Sequence, residues 1–273
     1  MLFANNTGTD CSVGWMGGGA ISTGTVMADA KKTVITLNDC VFTGNYSADH
    51  GGAAHLMGSF YITGSEFNNN RSSERGGALF VRQNDTTVRK MSGVSFVGNT
   101  AGTFGGAIYN YLGNGLIVDG TAGRNTFTDN AAKNDGGAFL ALYGGATFSA
   151  VDFTGNKAVN GGALYFDAGY NGDLICVVSD AVFTNNTATG NGGAIYNKHT
   201  KGLLIENSAF MTASDTIYNL STVTFSGNIT LNASLLGDGT YTVADGANFT
   251  IGKGVDLNGL DLSNATVTVN SAL

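Results

Sequence analysis

Residues 183–197 read FTNNTATGNGGAIYN. A Phe-x-x-Asn tetrapeptide opens the stretch, and Gly-Gly-Ala-Ile follows nine residues after the phenylalanine. The pair recurs along the chain. Phe-x-x-Asn begins at Phe3, Phe42, Phe67, Phe96, Phe127, Phe153, Phe183 and Phe225; Gly-Gly-Ala begins at Gly18, Gly51, Gly76, Gly105, Gly136, Gly161 and Gly192. From Phe42 to Phe183 each Gly-Gly-Ala stands eight or nine residues after its Phe, whereas successive copies lie 25 to 33 residues apart. A short fixed offset inside a long variable period marks one constant corner with insertions elsewhere, as in a solenoid.

The residues after each Gly-Gly align as four-residue strands: Ala78-Leu79-Phe80-Val81, Ala107-Ile108-Tyr109-Asn110, Ala138-Phe139-Leu140-Ala141, Ala163-Leu164-Tyr165-Phe166 and Ala194-Ile195-Tyr196-Asn197. A degenerate copy, Thr216-Ile217-Tyr218-Asn219, follows Ser214-Asp215. Side chains alternate along a strand, so the second column (Leu79, Ile108, Phe139, Leu164, Ile195, Ile217) is expected inward. The third column then points outward. The residue two before each Phe is mostly small or apolar and is expected inward with the ring. The residue after it is mostly Thr and suits a half-exposed face. The motif Asn closes a corner where its amide can bond the equivalent Asn above and below. A third apolar patch per repeat, such as Leu116-Ile117-Val118 or Leu203-Leu204-Ile205, completes three short strands per coil. The pattern predicts an all-β parallel β-helix over residues 1–220, with divergent coils of the same solenoid over 221–273.

Composition agrees. The chain has 273 residues, 42 of them Gly, and no Pro, so no strand lacks a backbone donor. Hydrophobic residues make up 42%, enough for a core. The net charge of −7 argues against nucleic acid as a partner. No apolar run reaches the length of a membrane span. The opening MLFANNTGTD lacks the basic and apolar regions of a signal peptide and starts within a repeat, so a piece of a longer protein is expected. Cys11, Cys40 and Cys176 are too scattered for a disulfide framework and read as buried thiols.

The paired Phe-x-x-Asn and Gly-Gly-Ala-(Ile/Leu/Val) motif resembles the repeat of the chlamydial polymorphic membrane proteins, over residues 3–228. Similar repeats occur in adhesin-like surface proteins of other bacteria and some methanogenic archaea. The resemblance implies a right-handed parallel β-helix, displayed extracellularly as the passenger of an autotransporter or an equivalent surface protein and anchored through regions outside this chain. It also implies a non-enzymatic adhesive role toward a host-cell surface protein or glycan.

Parallel β-helices also include polysaccharide lyases and hydrolases, which need clustered carboxylates. Here Asp39, Glu66, Asp129, Asp135, Asp152, Asp167 and Glu206 look scattered, with Glu66 and Asp152 both just before a motif Phe. A plain structural spacer is a further alternative. His50, His55 and His199 lack thiolate or carboxylate companions, so no metal or other cofactor is expected, and surface or corner positions are. One feature suggests binding: Phe80, Tyr109, Tyr165, Tyr196 and Tyr218 occupy the outward column and would line one face. Inserted loops at residues 83–87 and 120–124 are secondary candidates.

Overall fold

The computed structural model describes residues 1–9, 17–23, 34–82, 88–111, 114–167 and 175–270. Cys11, Leu174 and the loop at 83–87 lie outside them. No helix occurs among the described residues. One coil runs through strands Leu79–Arg82, Arg89–Ser92, Ser95–Val97 and Thr100–Ala101. The next repeats the path with Ile108–Tyr111, Asn114–Asp119, Asn125–Thr128 and Ala131–Ala132. Equivalent strands pair in parallel, Leu79 opposite Ile108, Phe96 opposite Phe127 and Thr100 opposite Ala131. The chain is a parallel β-helix.

The faces divide differently from the expectation. The apolar patch and the Phe strand share one long sheet, and in two coils they fuse into single strands, Gly145–Thr154 and Cys176–Thr184. The Gly-Gly-Ala strands form a second sheet, called the Tyr sheet below. A third, narrow sheet is built from two-residue strands just after the motif Asn, such as Tyr46–Ser47, Arg71–Ser72 and Lys157–Ala158. Its inward column is Ser47, Ser72, Ala101, Ala132 and Ala158, all buried. Residues this small leave no apolar run for a sequence pattern to register.

Inside, Phe42, Phe67, Phe96, Phe127, Phe153, Phe183 and Phe210 are fully buried. Their rings stack at centroid spacings of 4.6–5.1 Å, which matches the strand spacing of about 4.8 Å. Phe210, outside any Phe-x-x-Asn, is the true successor of Phe183. Phe225 is not: it pairs with Ile205 in the patch column, and Asn228 is exposed. The last tetrapeptide is therefore one strand out of step with the others. Beyond residue 220 the long sheet continues to Thr266–Val269. Cys40 and Cys176 are buried free thiols, and burial pushes the Cys176 thiol up to about 12.

The asparagine corner is a directional ladder. The Oδ1 of Asn45, Asn70, Asn99, Asn130, Asn156 and Asn186 lies inside the body, and all six residues are fully buried. Asn99 donates its backbone N–H (3.0 Å) and its Nδ2 (2.9 Å) to Asn130 Oδ1, and the same Nδ2 donates to the Phe67 carbonyl (2.8 Å). Asn130 repeats this toward Asn156 Oδ1 and the Phe96 carbonyl. Each Nδ2 thus donates both to the ladder residue of the C-terminal coil and to a Phe carbonyl of the N-terminal coil, while each Oδ1 accepts only from the N-terminal coil. The run ends on Asp215, whose Oδ1 accepts from Asn186 N (2.8 Å) and Nδ2 (2.9 Å) and whose Oδ2 accepts from Asn185 N and Thr212 N. An acceptor-only carboxylate suits a position with no further ladder rung to donate to.

Candidate functional site

The second-column residues Leu79, Ile108, Phe139, Leu164, Ile195 and Ile217 are buried in the main core. The third column points the other way, onto the outer face of the Tyr sheet, in the register His55, Phe80, Tyr109, Leu140, Tyr165, Tyr196, Tyr218. It is not an exposed stripe. Phe80, Tyr109, Leu140 and Tyr165 form a second apolar cluster and are buried, while Tyr196 and Tyr218 are half-buried. Two flanking columns cover the buried rings. On one side stand Arg75, Phe104, Asp135 and Asn160, linked coil to coil by bridges. On the other stand Arg82, Tyr111 and Leu142, followed by Asp167 and Lys198 in the next coils.

The flanks were invisible in the sequence because their members change residue type from coil to coil. Their charges settle on the rings. Arg75 lies over Tyr109 at 5.4 Å, Arg82 over Tyr111 at 5.9 Å and Lys198 over Tyr165 at 5.5 Å. Such cation–π contacts hold the cations along the ladder. The face is basic toward its N-terminal coils and acidic around Asp135 and Asp167.

All three histidines are buried, so of the expected surface or corner positions the surface is excluded. His50 stacks on Phe80 at 4.5 Å, and His55 meets it edge-on at 4.8 Å. Burial, with Arg75 near His50 and Arg82 near both, pushes His50 down to about 3 and His55 down to about 4. A histidine depressed in the folded state and ordinary in the unfolded one leaves stability unchanged above about pH 6.5. It removes stability as pH falls from there toward 4. Each histidine should therefore cost the first coils on the order of 2 kcal/mol of amide protection between about pH 7.5 and pH 5, and the two together about twice that. Hydrogen exchange reads this directly, and a flat profile, or one unchanged in the double variant His50→Gln with His55→Gln, would exclude the histidines as its cause. Among the described residues no group of three His, Cys, Asp or Glu side chains could hold a metal ion.

The face carries one shaped hollow, of about 220 Å³. Leu140 forms its floor between Tyr109 and Tyr165, and Phe104, Leu142, Asp135, Asp167 and Lys198 form its walls. Lys198 Nζ is 2.9 Å from Asp167 Oδ1. Burial opposes the lysine's charge, but bonds to Asp167 and Tyr165 outweigh it and raise its pKa. Burial raises Asp135, which accepts from Asn160 Nδ2 at 2.9 Å. A larger hollow, of about 470 Å³, lies beside Met211, Asn232 and Lys253. Its lining holds two polar side chains, Asn232 and Lys253, against three charged side chains and two tyrosines around the smaller one, which is the better-built site.

The remaining carboxylates do not converge. Glu66 and Asp152 share a column but lie three coils apart, about 14 Å at the usual strand spacing. Asp152 is held by Arg124 at 2.8 Å, which also contacts Asp180 at 3.1 Å. The inserted loop at 120–124 thus has its arginine committed to the body.

The comparisons with known proteins agree with this architecture. The family described as Chlamydia polymorphic membrane protein repeat matches at residues 64–82, 93–111, 150–167 and 180–198. The chain is a parallel β-helix that carries four copies of that repeat, each copy spanning a Phe corner and the Tyr-sheet strand that follows it. Among curated proteins it is similar to the "Probable autotransporter YfaL" of Escherichia coli (strain K12), 33% identical over 155 residues, which is 52% of this chain and 12% of that protein. The chain therefore corresponds to about an eighth of that relative. No solved structure matches.

Proposed function

We propose that this chain is a non-enzymatic segment of a surface-displayed, adhesin-type passenger that attaches to a host-cell surface protein or glycan. The observation that carries the reading is the Tyr-sheet face: a ring column with charged flanks, set on a rigid rod whose interior is closed by two ladders. The repeat family and the autotransporter relative support passage to the outer membrane or cell surface. A rod of this kind presents a broad face instead of one cleft, which suits attachment through several modest contacts.

The half-buried rings are the ones to test, since removing Tyr109 or Tyr165 would break the second apolar cluster. Tyr196→Ser with Tyr218→Ser should lower attachment to host cells or glycan-coated beads about tenfold while leaving the thermal midpoint within a few degrees. Unaltered attachment by the folded double variant would remove this end of the face from the contact. Release of sugar products from a polysaccharide panel would overturn the non-enzymatic assignment.

A further inference from the structure

The pair Asn-Gly stands at two successive corners beside the Tyr sheet, Asn160-Gly161 and Asn191-Gly192. The dipeptide is the same, and its surroundings are opposite. At the first corner the reactive atoms are held. Asn160 Nδ2 donates to Asp135 Oδ1 (2.9 Å), Asn160 Oδ1 accepts from Asn191 N (3.1 Å), and Gly161 N donates to the Asn191 carbonyl (3.0 Å). At the second corner the next coil has Ser214-Asp215 in place of Gly-Gly. Ala194 N donates to the Thr216 carbonyl as Ala163 N donates to that of Ala194, so the carbonyl in register with that of Asn191 belongs to Ala213. Gly192 N makes no bond to it. The turn closed by Asp215 N on the Thr212 carbonyl (2.9 Å) reshapes this corner, and Gly193 N turns aside to Thr216 Oγ1 (2.8 Å). Among the described residues Gly192 N–H meets no acceptor, and the amide of the exposed Asn191 makes no hydrogen bond.

We infer that Asn191 is a site of spontaneous covalent modification, deamidation through a succinimide formed with Gly192. The Gly192 nitrogen gives its proton to a base and attacks Asn191 Cγ. A bond from that nitrogen to Cγ forms, the Cγ–Nδ2 bond breaks, and the amide leaves as ammonia with a proton from water. Water then opens the ring at one carbonyl to give aspartate or at the other to give isoaspartate. The step is a hydrolysis and needs neither oxidant nor cofactor. Asparagine is a thermolabile residue, and a following glycine has no Cβ to shield the attacking nitrogen. At Asn160 the same attack must first release the nucleophile from the Asn191 carbonyl and the leaving group from Asp135. Those bonds slow it by at least about tenfold. The product has a place on the face already described. Asn191 follows Arg75, Phe104, Asp135 and Asn160 in the flank column. Its new carboxylate stands on the flank of the half-buried Tyr196, so this end of the Tyr-sheet face gains negative charge as the protein ages.

The inference does not rest on the attachment reading. The whole folded chain is held in mildly alkaline buffer at body temperature, sampled over weeks, digested and mapped by tandem mass spectrometry, which reads Asn160 and Asn191 separately. Asn191 should convert at least about tenfold faster than Asn160, with isoaspartate as the larger product. In guanidinium the fold's hydrogen bonds are gone, and the two should convert at similar rates. Asn191→Gln should show no conversion at that position, because the longer side chain must close a six-membered ring, and its thermal midpoint should match the parent's. An Asn191 that stays intact in the folded chain, or converts no faster than Asn160, overturns the inference. So does an equal difference between the two in guanidinium, since the fold would then not be its cause.

Discussion

Gly137→Ala is expected to cost about 3–5 kcal/mol, which is large for the addition of one methyl group. The usual sign of such a change, where the backbone is compatible, is a slight stabilisation through the unfolded chain. Gly136 and Gly137 show why the sign reverses. Gly136 has φ of +69°, and Gly51, Gly76, Gly105, Gly161 and Gly192 lie between +61° and +68°, so this first glycine answers the left-handed corner. Gly137 has no positive φ. A Cβ there would land on the Gly162 carbonyl oxygen of the next coil and within 2.6 Å of Lys157 N. Backbone on both sides leaves nothing flexible to yield. The two coils must separate, and with them go the bonds from Gly137 N to the Gly161 carbonyl and from Ala138 N to the Ala163 carbonyl, both 3.0 Å. In a body where each coil touches only its neighbours, a weak junction decouples the halves. Two melting transitions, or a jump in amide exchange confined to residues 131–164, would show it. A single transition at the parent midpoint would mean that the coils do not depend on this approach. Gly136→Ala should cost less, about 1–2 kcal/mol, because only the local left-handed conformation is penalised.

The sequence carried most of the interior and little of the outer face, and the reason is physical. A core column repeats because each coil must fill the same space, so Phe42 through Phe183 and Leu79 through Ile195 stand out on alignment. The corner before the motif Asn was equally legible in principle. Its residues run Asn5, Gly44, Asn69, Gly98, Asp129, Gly155, Asn185, alternating coil by coil, and all have positive φ. The alternation has a cause: a Cβ on Gly98 would meet Asn69 Oδ1 at 2.5 Å, so the Asx oxygen occupies the space above the next glycine. The narrow sheet escaped notice because its inward residue is only Ser or Ala. Asp215 escaped because it takes the ladder position five residues after Phe210 instead of three, through the turn in which Asp215 N donates to the Thr212 carbonyl at 2.9 Å. The hollow beside Leu140 left one trace, a leucine in a ring column, but its lining residues Asp135 and Lys198 are 63 residues apart in sequence and meet only through the coil register.

Asn130→Leu is expected to cost about 3–6 kcal/mol, and the ladder's direction accounts for the size. The side chain is fully buried between Asn99 and Asn156. Removing its amide leaves Asn99 N–H and one Asn99 Nδ2 proton without their acceptor, and the Phe96 carbonyl loses its side-chain donor. Asn156 Oδ1 keeps the Asn130 backbone donor at 3.0 Å. Two stranded buried donors at about 1.5–3 kcal/mol each give the total. Asn130→Asp separates the acceptor half of the role from the donor half. Its carboxylate can still accept from Asn99, as Asp215 accepts from Asn186 at the natural end of the run. In mid-ladder, however, it would face the Phe96 carbonyl and Asn156 Oδ1, both acceptors. Burial and these acceptors would raise its pKa in the folded state above the unfolded value of about 3.9. The folded state then binds more protons, so stability falls as pH rises from about 4 through the raised folded value. Below about pH 4 the protonated acid can donate to Asn156 Oδ1, and the variant should approach the parent. Urea melts of both substitutions at about pH 4 and pH 7.5 test this. The leucine variant should show the same deficit relative to the parent at both, whereas the aspartate variant should show its deficit at the higher pH. An aspartate variant as stable as the parent at pH 7.5 would mean that the ladder has no obligatory direction and that a carboxylate is tolerated at any rung.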